Sequence, residues 1–173
     1  LKANLGALYR ELGELEKAIL EYNESLSIHH KIGNKRFVGI VMGELGETFY
    51  AMGKTTKARE AFEECIEICQ DIFPTAAGTF MGSLAMLYFE AGQSALAMKL
   101  INKAEPMVKP TPLEHAKLLC KKAIIEHNQT PLIGLETFRL AEQVVQSLAL
   151  SPQSELFRIL QKTEVHLRAV KQS

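Results

Sequence analysis

One nine-residue phrase occurs three times in this chain: Leu5–Gly13 reads LGALYRELG, Leu45–Gly53 reads LGETFYAMG and Leu84–Gly92 reads LAMLYFEAG. The copies stand forty and then thirty-nine residues apart. Aligned on their leucine, they agree in eight columns of side-chain size. These are Leu5/Leu45/Leu84, Gly6/Gly46/Ala85, Tyr9/Phe49/Tyr88, Gly13/Gly53/Gly92, Ala18/Ala58/Ala97, Tyr22/Phe62/Ile101, Ser25/Cys65/Ala104 and His29/Cys69/Val108. Self-similarity at a period of a few tens of residues is the mark of stacked supersecondary units, each needing a neighbour to bury its apolar flank. A 173-residue chain that is 47% hydrophobic has room for about four such units.

Within each copy the spacing is helical. Leu5, Tyr9 and Leu12 share one stripe, as do Ala58, Phe62, Cys65, Ile66 and Cys69. The glycine between stripes ends one helix and opens a tight turn. Small residues at Gly6, Gly46 and Ala85, and at Ala18, Ala58 and Ala97, let two antiparallel helices approach closely, with aromatics beside them. Each unit is therefore expected to be a helix hairpin. Further on the pattern weakens. Thr111-Pro112-Leu113-Glu114 reads as a capping box with proline at the first helical position, opening a helix to about His127. Thr130-Pro131 repeats the start signal, and Gly134, Phe138 and Ala141 match the small–aromatic–small columns of a second helix. Ser151-Pro152 opens a last helix with Leu156, Leu160, Thr163, Leu167 and Val170 on one stripe and Gln161, Lys162, Glu164 and Arg168 opposite, as a capping helix requires. The expected repeats are 1–36, 37–74, 75–110 and a degenerate 111–150, with a capping helix at 151–171, in one domain and with no strand. Leu1 stands where a natural start would place Met, so the chain reads as a piece of a longer protein.

The phrase Leu-Gly-x2-Tyr followed by Ala-x3-Phe resembles the tetratricopeptide repeat. It appears as Leu5-Gly6-x2-Tyr9 with Ala18-x3-Tyr22, and as Met42-x2-Leu45-Gly46-x2-Phe49 with Ala58-x3-Phe62. The tryptophan column of that family holds Lys2, Met42 and Met81, and the proline closing the second helix is missing. The long period is similar to that of the longer units in kinesin light chains, spindle-orientation adaptors and large bacterial regulators, kinases and ATPases. The likeness covers residues 1 to about 108. It implies an all-α, right-handed superhelix of hairpins, a cytoplasmic setting and a role in binding other proteins.

The composition agrees with such a role. Twenty basic residues balance twenty acidic ones, so the basic excess that drives nucleic-acid binding is absent, as is a polybasic segment for an anionic membrane. The apolar runs are too short for a bilayer span, and no signal peptide opens the chain. Three cysteines, Cys65, Cys69 and Cys120, fit no disulfide framework and read as free thiols in a reducing compartment. No phosphate-binding loop, Gly-x-Ser-x-Gly, His-Glu-x-x-His or Cys-x-x-Cys is present, so neither catalysis nor a cofactor is expected. Cys65 and Cys69 share a helix face but lie in packing columns, so they read as core and not as metal ligands. Cys120 reads as packing too. His29 and His30 are adjacent and point apart, one half-buried and one solvated. The runs Glu11, Glu14, Glu16 with Lys17, and Glu63, Glu64, Glu67, are solvated helix faces.

In tetratricopeptide proteins the first helices of the hairpins line a concave ligand surface. The corresponding inner positions here are Ala3, Asn4, Ala7 and Arg10, then Gly43, Glu44, Glu47 and Tyr50, then Gly82, Ser83, Met86 and Phe89. The family's lysine and asparagine clamp for a peptide carboxylate is absent, since nothing basic follows Arg10 in this set. The column that carries an asparagine ladder in long-repeat adaptors reads Asn4, Glu44, Ser83. What remains is Tyr50, Met86 and Phe89 flanked by Glu44, Glu47 and Glu90, which suits an amphipathic helix or an apolar peptide with basic residues. The same three apolar residues would equally suit packing within the array. Two other roles stay open: a ligand-responsive domain controlling an attached effector, and self-association through the flank of the first hairpin, which lacks a polar cap.

Overall fold

The computed structural model describes residues 1–148, 151 and 154–169. Among them are nine α-helices and no strand: α1 (Lys2–Glu11), α2 (Leu15–Lys31), α3 (Lys35–Ala51), α4 (Thr55–Cys69), α5 (Pro74–Glu90), α6 (Ser94–Val108), α7 (Pro112–Gln129), α8 (Pro131–Ser147) and α9 (Glu155–Ala169). The chain divides into two compact units, Leu1–Leu84 and Ala85–Ser173, with the division inside α5.

In the first unit α1 packs on α2, α2 on α3 and α3 on α4. The helices stop where the repeated glycines stand. Gly13, Gly53 and Gly92 have φ of 77°, 70° and 76°, a left-handed conformation that costs glycine nothing. Each closes its helix with the same two backbone bonds: Gly13 N–H to Arg10 and Glu14 N–H to Tyr9, Gly53 to Tyr50 and Lys54 to Phe49, Gly92 to Phe89 and Gln93 to Tyr88. Gly33, with φ 69°, closes α2 in the same way.

Other glycines serve contact. A Cβ on Gly6 would meet the Tyr22 ring at 2.7 Å, and one on Gly46 would meet the Phe62 ring at 2.5 Å. Gly43 lies in the same relation to Phe80, and Gly39 to the Cys69 sulfur. Ring against glycine backbone is thus the recurrent joint of this unit. Phe62 and Phe80 also stack, 6.1 Å apart. Ala18, Tyr22, Ala58, Phe62, Cys65 and Cys69 are fully buried, and Ser25 nearly so. Of the outlying column, His29 is half-buried and stacks on Phe37 at 4.8 Å, while His30 is exposed. Leu12 departs from the expected stripe: it follows the end of α1 and is 63% exposed. Lys2, in the column that holds tryptophan in the family, pairs with Glu21 and Glu24 at 3.0 and 2.8 Å.

In the second unit α6 packs on α7, α7 on α8, and α9 on both α7 and α8. Its core joins Ala116, Leu119, Cys120 and Ala123 of α7, Phe138, Ala141 and Val145 of α8, and Leu156, Leu160 and Leu167 of α9. Ala97, Ile101, Ala104 and Val108 of α6 are buried as their columns require. In the α7–α8 pair the small residue at the close approach is Gly134, whose Cβ would meet His127 Cβ at 2.5 Å and the Ala123 carbonyl at 2.6 Å. Ion pairs run between helices: Lys122 to Glu105 at 2.8 Å, and Lys117 to Glu155 at 3.0 Å. The expected capping box at Thr111 does not form. Pro112 does open α7, but Thr111 makes no side-chain cap bond, and Glu114 turns to Lys117 at 3.3 Å. The stripe Leu156, Leu160, Thr163, Leu167 is buried, with Gln161, Lys162 and Arg168 exposed. Pro152 and Val170, with residues 149–150 and 171 of the expected boundaries, lie outside the described residues.

Candidate functional site

The inner positions of the first unit carry a connected polar stripe. Its centre is Glu44 on α3. Arg10 on α1 donates from Nη2 to Glu44 Oε2 at 2.9 Å, and the Tyr22 hydroxyl on α2 donates to the same oxygen at 3.4 Å. One carboxylate therefore ties three helices. One helical turn along α3, Glu47 accepts a short bond from the Ser83 hydroxyl on α5. Arg10 and Glu44 each keep somewhat under a third of their side-chain surface, 30% and 28%, so the stripe touches solvent along one edge. Behind it lies the fully buried ring of Tyr22.

Partial burial sets the protonation behaviour. Glu44 has its pKa raised above the ordinary 4.5, first by burial; the Arg10 charge pulls it back, and neighbouring Glu47 pushes it up again. Burial works against the Arg10 guanidinium, yet the Glu44 charge holds its pKa above the usual value. Burial and then the Glu44 charge push the Tyr22 hydroxyl up to about 12. A carboxylate whose folded pKa exceeds its unfolded value contributes stability fully present below pH 4.5 and lost as pH rises through the folded pKa. Compared with Glu44→Gln by urea denaturation, the wild type should therefore lose ground as pH rises from 4.5 towards neutrality. A difference independent of pH would show that Glu44 is not held by burial.

The other expected site residues fall into two groups. Asn4 is exposed, and Ala7, Arg10, Glu44, Glu47 and Tyr50 are half-buried. Ser83, Gly43 and Gly82 were expected to be exposed; all three are buried. Gly43 is buried because Phe80 covers it, and Ser83 is occupied with Glu47. In the second unit Met86 and Phe89 are half-buried and Glu90 is exposed. Tyr22 is the participant that packing columns alone did not single out. Its signal lies in the comparison of copies. A buried hydroxyl needs a partner that Phe62 and Ile101, its counterparts, do not, and Glu44 stands where the other copies have Asn4 and Ser83.

The cysteines lie in the core. Cys65, Cys69 and Cys120 are free and buried. Burial pushes all three thiols up, Cys120 to about 11, so none is a thiolate near neutrality. Among the described residues no group of His, Cys, Asp and Glu is placed to hold a metal ion, and no helix is long and apolar enough to cross a membrane.

Helix hairpins closed by glycine, joined ring against glycine and carrying a polar inner stripe define a helical-repeat protein. Residues 1–71 match the family model described as the tetratricopeptide repeat. Over that stretch, under half of the chain, the sequence is that of tetratricopeptide repeats. Among solved structures it is similar to the nearly identical TPR-like repeats of a kinesin light chain from Podosopora anserina, at 16% identity, covering 98% of this chain and 93% of that one, with a TM-score of 0.55. A single-substitution variant of that protein matches equally, at 16% identity and a TM-score of 0.55, over 99% of this chain and 95% of that one. At such identity the likeness is one of fold: an all-α solenoid of TPR type. A search of curated proteins gave no match. Tetratricopeptide repeats generally mediate protein–protein interaction.

Proposed function

We propose that this protein is a non-catalytic interaction scaffold that takes a peptide or amphipathic helix of a partner protein against the inner faces of its hairpins, in a reducing compartment such as the cytoplasm. The observation that carries this reading is the tied stripe on α1, α3 and α5. Because Glu44 is held from two sides and Glu47 by Ser83, the polar groups of the inner face are set before a ligand arrives, which lowers the entropy lost on binding. In the first unit Tyr50 beside Glu47 offers apolar contact edged by acid, and in the second unit Met86 and Phe89 with Glu90 do so separately; each fits a ligand with apolar anchors and basic residues. Asn4 and Arg10 border the same stripe on α1.

The test is affinity capture of partners from the source cell, on wild-type chain and on Tyr50→Ala/Phe89→Ala side by side, with circular dichroism of both. The expected result is equal helicity and loss of the captured protein from the variant. Since these residues are half-buried and not in the central core, the fold should tolerate their truncation. Undiminished capture by an equally helical variant would remove them from the site. A variant that loses its helicity would place them in the core.

A further inference from the structure

The turn that joins the first hairpin to the second holds more than a turn needs. From Ser25 to Gly43 the chain has no Asp or Glu, although its whole length balances 20 acids against 20 bases. In that stretch stand His29, His30, Lys31, Lys35 and Arg36, interleaved with Ile28, Ile32 and Phe37. α2 ends at Lys31 and α3 begins at Lys35, so these residues gather at one end of the first unit. Phe73 comes to the same end, because the Arg36 guanidinium lies 3.9 Å from its ring, and its chain neighbour Ile72 comes with it. His29 stacks on Phe37 at 4.8 Å and steadies that ring. Lys31, Lys35 and Arg36 are exposed, and Ile28, Ile32, Phe37 and Ile72 are 44–66% exposed. The acid of the adjoining loop is Asp71, exposed beside Ile72. Lys2, Arg10 and Lys17 of the same unit each hold a glutamate, but among the described residues none of Lys31, Lys35 and Arg36 is in an ion pair. The repeat shows that the fold does not ask for these groups. By its columns Lys31, Lys35, Arg36 and Phe37 correspond to Asp71, Thr75, Ala76 and Ala77, and then to Pro110, Glu114, His115 and Ala116. Ala76, Ala77 and Ala116 are buried. The same turn is thus built twice more without such a cluster.

The geometry points to this edge as a docking surface for an acidic segment of a partner protein that carries apolar anchors. Positive charge without a counter-charge selects a negative partner, and the exposed isoleucines and phenylalanine between the charges supply contact area that charge alone does not. The number of charges decides among anionic partners. Clusters of about four to eight Lys and Arg mark a surface for anionic lipid, and three stand here. A nucleic acid needs a domain with basic excess, whereas from Leu1 to Leu84 the unit holds twelve acids and nine bases. An acidic peptide needs only a few charges, set close to apolar contacts. None of Arg10, Glu44, Glu47 and Tyr50 belongs to this edge, so it is a second surface, distinct from the inner stripe.

The probe is a short fluorescein-labelled peptide of glutamates interrupted by one leucine and one phenylalanine, titrated with the whole chain and read by fluorescence anisotropy. Saturable binding is expected at about 10–100 µM, weakening as salt is raised from about 0.1 M to about 0.5 M. Lys31→Gln/Lys35→Gln should weaken it about tenfold. Ile32→Ser should weaken it about fivefold. Helicity should be unchanged in both, because all three side chains are exposed. Lys54→Gln/Arg59→Gln removes the same charge from exposed positions outside the edge and should leave the affinity within about twofold of wild type. Equal weakening by the two double variants overturns the proposal, since the attraction would then belong to no one surface. Binding weaker than about 1 mM also overturns it. So does flotation of the chain with vesicles of phosphatidylcholine and phosphatidylserine that Lys31→Gln/Lys35→Gln abolishes, which gives the edge to a membrane. A dimer in sedimentation velocity that the same variant dissolves gives it to a second copy, and overturns the proposal as well.

Discussion

Gly134→Ala is expected to destabilise the second unit by about 2–3 kcal/mol, although alanine is the better helix former. The added carbon would lie 2.5 Å from His127 Cβ and 2.6 Å from both the Ala123 carbonyl and His127 Cα. Two of these three are backbone, which no rotamer change can move. His127 is itself fixed, with its Nδ1 3.0 Å from the Pro131 carbonyl. Relief would require α7 and α8 to separate, opening the core that Phe138 and Ala141 share with Ala116 and Ala123. Gly53→Ala makes the comparison informative. Its Cβ would meet nothing within 4 Å, so the cost is that of a left-handed backbone alone, about 1–2 kcal/mol. Urea denaturation of both variants should rank Gly134→Ala as the more damaging, and a Gly134→Ala chain as stable as wild type would show that the two helices are not in contact there. A double variant offers a further check: Gly46→Ala should be partly rescued by Phe62→Leu, since in that pair the obstacle is a side chain.

The repeated phrase made the hairpins legible because each of its columns has one physical duty. Glycine at 13, 53 and 92 supplies a left-handed turn, alanine at 18, 58 and 97 supplies contact, and a large residue at 22, 62 and 101 fills the joint; all six contact and joint residues are buried without remainder. The same reasoning placed Cys65 and Cys69 in the core and separated His29 from His30. It was less secure on the inner face, where duties are not repeated. Position 44 is Glu while its counterparts are Asn4 and Ser83, so no column shows what it does; only the contact with Arg10 and Tyr22 reveals it. Ser83 and Gly43 fall on the inner side by helical count, yet Glu47 and Phe80 from neighbouring helices cover them. Burial of that kind depends on how far apart two helices stand, which period and composition do not encode. The capping box at Thr111 has no free donor to close on, because the Thr111 N–H donates to the Val108 carbonyl at 2.8 Å, while Glu114 pairs with Lys117.

Tyr22 joins the core to the inner face, and its substitutions separate the two duties. Tyr22→Ala should cost about 4 kcal/mol, the figure for emptying a fully buried aromatic site, since the ring is wholly enclosed and Gly6 cannot fill the space. Against a total stability of about 5–15 kcal/mol, that is a large share, and at the lower end it leaves the fold only about 1 kcal/mol from its unfolding midpoint. Tyr22→Phe keeps the ring and removes only the bond to Glu44, for about 1 kcal/mol. The pH profile distinguishes a held hydroxyl from a merely buried ring. The Tyr22 pKa is pushed from 10.0 to about 12, by burial first and then by the Glu44 charge. A group raised on folding contributes stability that is whole below its unfolded pKa and disappears as pH climbs through the folded one. Wild-type stability should therefore decline more steeply than that of Tyr22→Phe between pH 10.0 and about 12, and the two curves should converge in that range. Parallel curves would mean that the hydroxyl ionises as freely in the fold as out of it, and that Arg10 alone holds Glu44.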